Sequence, residues 1–133
     1  MNNNVQDQKT DIICSRTKSS IGGTLIYSCD LEGNLEGQLI HYSPFGYMIM
    51  QCSLHKGILN GPYIQYYPNG QLMNYLTFRD GLRHGLQMKF YPNGVVHNIS
   101  DYSFGYRDGW YTIVSPNGQI LIRKKYSMGR YFD

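Results

Sequence analysis

From about Ile21 onward, apolar and polar residues alternate in short runs of strand length, cut at fixed intervals by glycine and proline. In the runs that follow each proline, one column of positions 24 residues apart reads Met48, Leu72, Val96 and Ile120. The far ends of the same runs read Leu54, Phe78, Tyr102 and Tyr126. In the runs that precede the prolines the columns are Ile40, Ile64, Met88, Thr112 and Tyr42, Tyr66, Phe90, Val114. Successive side chains of a strand point to opposite faces, so these mostly apolar columns are assigned to a buried face. Between them lie Tyr63, Gln65, Tyr67, Gln87, Lys89, Tyr91 and Tyr111, a mixed set expected to face water or a partner.

The punctuation is regular. Tyr67-Pro68-Asn69-Gly70 returns as Tyr91-Pro92-Asn93-Gly94 and as Ser115-Pro116-Asn117-Gly118, with a weaker copy at Ser43-Pro44-Phe45-Gly46. Pro presets φ for the second position of a type I turn, Asn tolerates the third, and Gly takes the left-handed conformation that follows. Such a turn closes a β-hairpin. A second marker lies between the turns: Gly pairs four apart at Gly33 and Gly37, Gly57 and Gly61, Gly81 and Gly85, Gly105 and Gly109. These are read as longer Gly-x-x-x-Gly connections between strands. A strict 24-residue period of this kind marks a repeat protein. About four and a half copies fill residues 21–133, after a polar N-terminal arm over residues 1–20. The expected fold is all-β: an elongated single antiparallel sheet of about nine or ten strands, ~45 Å long at ~4.8 Å per strand.

Composition sharpens this picture. The chain has 13 Tyr, 15 Gly and no Ala, which favours strands and turns over helices. No apolar run reaches membrane-spanning length, and Met1-Asn2-Asn3-Asn4 is unlike a signal peptide, so an intracellular, cytoplasmic location is expected. Cys14, Cys29 and Cys52 are odd in number and lack metal-ligand spacing, which favours reduced thiols and no metal. The net charge is a modest +3, but Arg123, Lys124, Lys125 and Arg130 gather near the C-terminus while Asp30, Glu32 and Glu36 sit early. That asymmetry suits an acidic partner or an anionic lipid surface. It equally suits protection of an edge strand against pairing.

The unit from Tyr75-Leu76-Thr77-Phe78 through Gly81 and the His84-Gly85 step to Tyr91-Pro92-Asn93-Gly94 resembles a MORN repeat, and the resemblance covers roughly residues 22–133. The His step occurs once, since Glu36, Asn60 and Asp108 stand at the equivalent positions, and Thr77 stands where the family has Gly. With its Tyr-Pro-Asn-Gly turns the chain is similar to the variant MORN repeats of bacterial antitoxin-like proteins and of some large DNA viruses. The resemblance implies a hairpin-built sheet used for protein binding or scaffolding.

Candidate chemistry is sparse. His41, His55, His84 and His97 fall in different registers, no carboxylates pair, and no nucleophile motif occurs, so neither catalysis nor a cofactor is expected. The candidate protein-binding face is Tyr63, Gln65, Tyr67, Lys89, Tyr91 and Tyr111, because Tyr is enriched in interface hot spots. Cross-strand aromatic pairing explains the same tyrosines without a partner. Nucleic acid is not expected as a partner. The strand Gln119 to Tyr126 is expected to end the stack, and it leaves two readings: an edge blunted by Lys124 and Lys125, or one used for self-association or strand addition.

Overall fold

The computed structural model describes residues 12–17 and 22–132. Twelve strands form one antiparallel sheet: β1 (Ile12–Thr17), β2 (Thr24–Cys29), β3 (Leu35–Tyr42), β4 (Met48–His55), β5 (Ile58–Tyr66), β6 (Leu72–Arg79), β7 (Leu82–Arg83), β8 (Gly85–Phe90), β9 (Val96–Ser103), β10 (Tyr106–Val114), β11 (Ile120–Ser127) and β12 (Arg130–Phe132). Each pairs with its neighbour in the chain, except that β7 and β8 share β6 as two pieces of one strand broken at His84. The sheet is thus longer than expected at both ends. The strand formers Ile12, Ile13 and Thr17, inside the segment assigned to the arm, supply β1 against β2. Beyond β11, the strand expected to end the stack, β12 pairs with Lys125–Ser127. The rest of the assigned arm, and the side chain of Cys14, lie outside the described residues.

Every x-Pro-x-Gly segment is a hairpin turn. The Gly70 N–H donates to the Tyr67 carbonyl at 2.9 Å and the Tyr67 N–H to the Gln71 carbonyl at 2.8 Å, and the copies at 43, 91 and 115 repeat the pattern. Gly70 has φ +85°, which explains glycine at that register. Each turn is followed by a one-residue bulge: Tyr66 opposes Leu72, but Gln65 opposes Asn74. The same slip recurs at Met48/Met50, Val96/Asn98 and Ile120/Ile122. A bulge inverts the facing of everything before it. Leu72 and Phe78 therefore lie on opposite faces, and the single buried face expected from unbroken alternation does not form.

The Gly pairs also differ from expectation. The first Gly of three pairs belongs to a two-residue turn, Lys56-Gly57, Asp80-Gly81 or Phe104-Gly105, with both φ positive; Met128-Gly129 makes a fourth. The second Gly sits within the next strand, where three residues oppose one. At β10, Arg107 pairs Tyr102 and Tyr111 pairs Ser100, leaving Asp108, Gly109 and Trp110 against Asp101.

These two irregularities lock the copies together. The Gly57, Gly81, Gly105 and Gly129 N–H groups donate to the carbonyls of Leu35, Leu59, Arg83 and Arg107 in the preceding copy, at 2.7–2.8 Å. Beside each, the N–H of Lys56, Asp80, Phe104 or Met128 donates to the side chain of Glu36, Asn60, His84 or Asp108, at 2.7–3.2 Å. The variable residue of the His step is thus an acceptor column. A carboxylate, an amide oxygen and an imidazole nitrogen all serve.

Candidate binding trough

One face of the sheet is hollowed across β5 to β10 into an open trough of about 590 Å³. Its floor is the row Tyr63, Leu76, Gln87, Ser100, Tyr111, and Cys52 on β4 continues that row beyond the trough, opposite Tyr63. Among the described strand residues, Cys52 (4% exposed), Gln87 (3%) and Ser100 (5%) have the most enclosed side chains. Burial pushes the Cys52 thiol above its ordinary range. It raises Tyr63 as well, with nearby Cys52 adding to the effect.

One side of the trough changes character from copy to copy. Leu59 and Phe78 give way to Arg83 and Tyr102, then to Arg107, which reaches out of the trough toward the Tyr126 ring. The Arg83 guanidinium lies 5.5 Å over the Tyr102 ring. That of Arg107 lies 4.2 Å over Tyr111 and 5.5 Å from Tyr126. Such contacts are attractive through the ring quadrupole. Burial disfavours the Arg107 charge, but the hydroxyls of Tyr102 and Tyr126, with Tyr111, outweigh it and hold the group above its ordinary pKa. The opposite side carries Gln65, Asn74, Lys89 and Asn98, with Asn74 donating to Gln65 at 2.8 Å. Arg83, Lys89 and Arg107 line the trough, and no Asp or Glu does.

Four of the six face residues singled out from the sequence, Tyr63, Gln65, Lys89 and Tyr111, meet in this trough. Tyr67 and Tyr91 are placed differently. Their hydroxyls donate to the carbonyls of Phe90 and Val114, at 2.7 Å each, and so tie one copy to the next. Tyr67→Phe and Tyr91→Phe should each lower unfolding free energy by about 1 kcal/mol, the usual worth of one such bond. Urea denaturation measures it, and no change in midpoint would show that these hydroxyls join nothing.

The C-terminal basic residues divide between the faces. Arg123 and Lys125 lie 4.2 and 5.6 Å over Trp110, on the side away from the trough. Lys124 lies 4.7 Å over Tyr131, on the trough side, and Arg130 is exposed opposite Ser127.

Sequence reading missed Arg83, Arg107 and Tyr102 as trough residues. The signal was present, since Arg-to-Tyr spacing recurs from Arg83 and Tyr102 to Arg107 and Tyr126. Without the bulges, however, nothing places those residues on the face of Tyr63.

Among the described residues, no three His, Cys, Asp or Glu side chains converge as metal ligands. The histidines are engaged within the fold: His41 with the Gly22 carbonyl, His55 with Glu36 at 2.7 Å, His84 with the Phe104 N–H, and His97 against the Tyr91 ring at 4.5 Å. No described helix is long and apolar enough to cross a membrane.

Comparison with protein families finds two matching stretches, residues 59–80 and 83–103, to the family described as MORN repeat variant. Together they supply β5 to β9, most of the trough floor. No curated protein sequence matches the chain.

Proposed function

We propose that this chain, which carries MORN repeats of the variant type at residues 59–80 and 83–103, is a non-catalytic protein-binding module whose binding surface is the trough. MORN repeats in general mediate protein or membrane interactions, and this sheet offers an open hollow in which a partner can lie. The observation that carries the reading is the convergence of Tyr63, Tyr111, Arg83 and Arg107 around one open trough. Tyr and Arg are, with Trp, the residue types enriched in binding hot spots. A dedicated antitoxin-like neutraliser and a structural component of a virus would both use such a face.

Anionic lipid binding through the C-terminal cluster is the alternative. It requires the basic groups to meet one membrane plane, and Lys124 lies on the face opposite Arg123 and Lys125. The protein reading is therefore favoured.

The test is capture of the native partner by wild-type chain, by a Tyr63→Ala/Tyr111→Ala variant and by Trp110→Ala on the other face. The double variant should lose about 2 kcal/mol or more of binding free energy while remaining folded by circular dichroism. Trp110→Ala should bind as wild type. Loss confined to Trp110→Ala would move the binding surface to the opposite face.

A further inference from the structure

We infer that the trough receives an extended acidic peptide segment whose carboxylates meet Arg83, Lys89 and Arg107. This deepens the reading above and rests on the trough being the binding surface. Three observations carry it.

The first is charge. Three cations and no carboxylate line the trough. Arg83 and Arg107 occupy the same register of neighbouring copies, two strand spacings or roughly 10 Å apart. Lys89 stands on the opposite side, about four residues along the strand from the Arg83 register, or roughly 13 Å. An extended chain carrying acidic residues at intervals of a few positions reaches all three.

The second is the setting of the arginines. Each guanidinium lies over a tyrosine ring and is held by tyrosine hydroxyls, Arg83 by that of Tyr102 at 3.5 Å and Arg107 by those of Tyr102 and Tyr126; the remaining N–H groups of each five-donor fork are left for a carboxylate. The same stacking argues against nucleic acid. Base stacking needs free ring faces, and those of Tyr102 and Tyr111 are covered by arginine while Tyr63 meets Phe78 edge-on.

The third lies in the floor. Gln87 donates through Nε2 to the Thr77 and Gly85 carbonyls, and its Oε1, buried, has no partner in the chain; nor has Nε of Arg107. One needs a donor and the other an acceptor. Both atoms are enclosed by the side chains around them, so a ligand reaches them only as those side chains part; a peptide group then supplies both a donor and an acceptor, whereas a phosphate without a proton supplies acceptors alone.

The experiment is fluorescence anisotropy with a labelled oligoglutamate peptide. Oligoglutamine of the same length, oligothymidylate and phosphatidylserine vesicles are the comparisons. Oligoglutamate should bind best, and binding should weaken as salt rises. Arg107→Gln should reduce affinity by about tenfold or more, as expected for loss of one charge-assisted contact. Because Arg107 also packs among tyrosines, Lys89→Gln serves as the second variant. Lys89 is exposed, so its removal spares the fold, and it too should weaken oligoglutamate binding.

Equal binding of oligoglutamine, no binding of oligoglutamate, or preference for oligothymidylate or vesicles would each overturn the inference. If that happens while Tyr63→Ala/Tyr111→Ala still abolishes partner capture, the trough remains the binding surface and only its acidic preference is wrong. If capture depends on Trp110 instead, the underlying reading fails too.

Discussion

Gly109→Val should lower folding stability by about 2–4 kcal/mol, the range expected for forced strain at a special backbone position with a steric clash added. Gly109 has φ +122°, beyond the left-handed well that Asn or Asp visits. A Cβ there would also stand 3.2 Å from Cβ of Asp101 on β9, a contact with a side-chain stem rather than a flexible end. The residue cannot relax into ordinary strand geometry without removing the bulge. Removing it would take Asp108 away from the Met128 N–H and Arg107 away from its tyrosines. Gly118→Ala provides the contrast. It sits at φ +90° in an open turn with nothing within 4 Å of the added carbon, and should cost only about 1 kcal/mol. Urea unfolding followed by tyrosine fluorescence measures both. Equal midpoints for the two variants would mean that the bulge is not a fixed feature of β10.

Deleting residues 72–95, one whole period, should leave a folded sheet, whereas deleting half a period, residues 72–83, should abolish cooperative folding. The first deletion joins Gln71 to Val96, which occupies the register of Leu72, so every turn again follows its own kind. The clasp from Asn60 then meets Phe104 in place of Asp80, as the repeat allows. In a linear array each copy is stabilised mainly by its neighbours, so the shortened sheet should unfold with a denaturant slope lower by roughly a fifth. The second deletion removes β6, the Asp80-Gly81 turn and the short β7 that follows it. All later turns then emerge at the wrong edge, and the backbone bonds from Gly105 to Arg83 and from Gly81 to Leu59 each lose one partner. A half-period deletion that still unfolds cooperatively with wild-type midpoint would show that the clasps do not hold the copies in order.

The candidate site was legible in part, and the boundary has a physical cause. Tyr63, Gln65, Lys89 and Tyr111 were found because they belong to one strand type, where alternation holds between the bulges. Arg83 and Arg107 were missed because irregularities at Gly85 and Gly109 intervene, each putting two extra residues on its strand relative to the one before it. Tyr67 and Tyr91 were grouped with the face because they continue the same alternation. Their hydroxyls instead reach carbonyls 23 residues away, in a neighbouring copy that local sequence does not bring to mind. The C-terminal basic run shows the same limit. Lys124 and Lys125 are adjacent in sequence, and adjacency in a strand is what sends them to opposite faces.

The sequence by itself determined the repeat, its period, the hairpin turns and the all-β single sheet. Those features follow from φ preferences of Pro and Gly and from a count of residues between them, which neighbouring residues settle alone. Only the tertiary structure decided which face is hollow, which cations share it, and what the variable residue before each second Gly does. These depend on the number of residues on one strand that oppose a given number on the next. A single extra residue reverses the facing of a strand while leaving its composition unchanged.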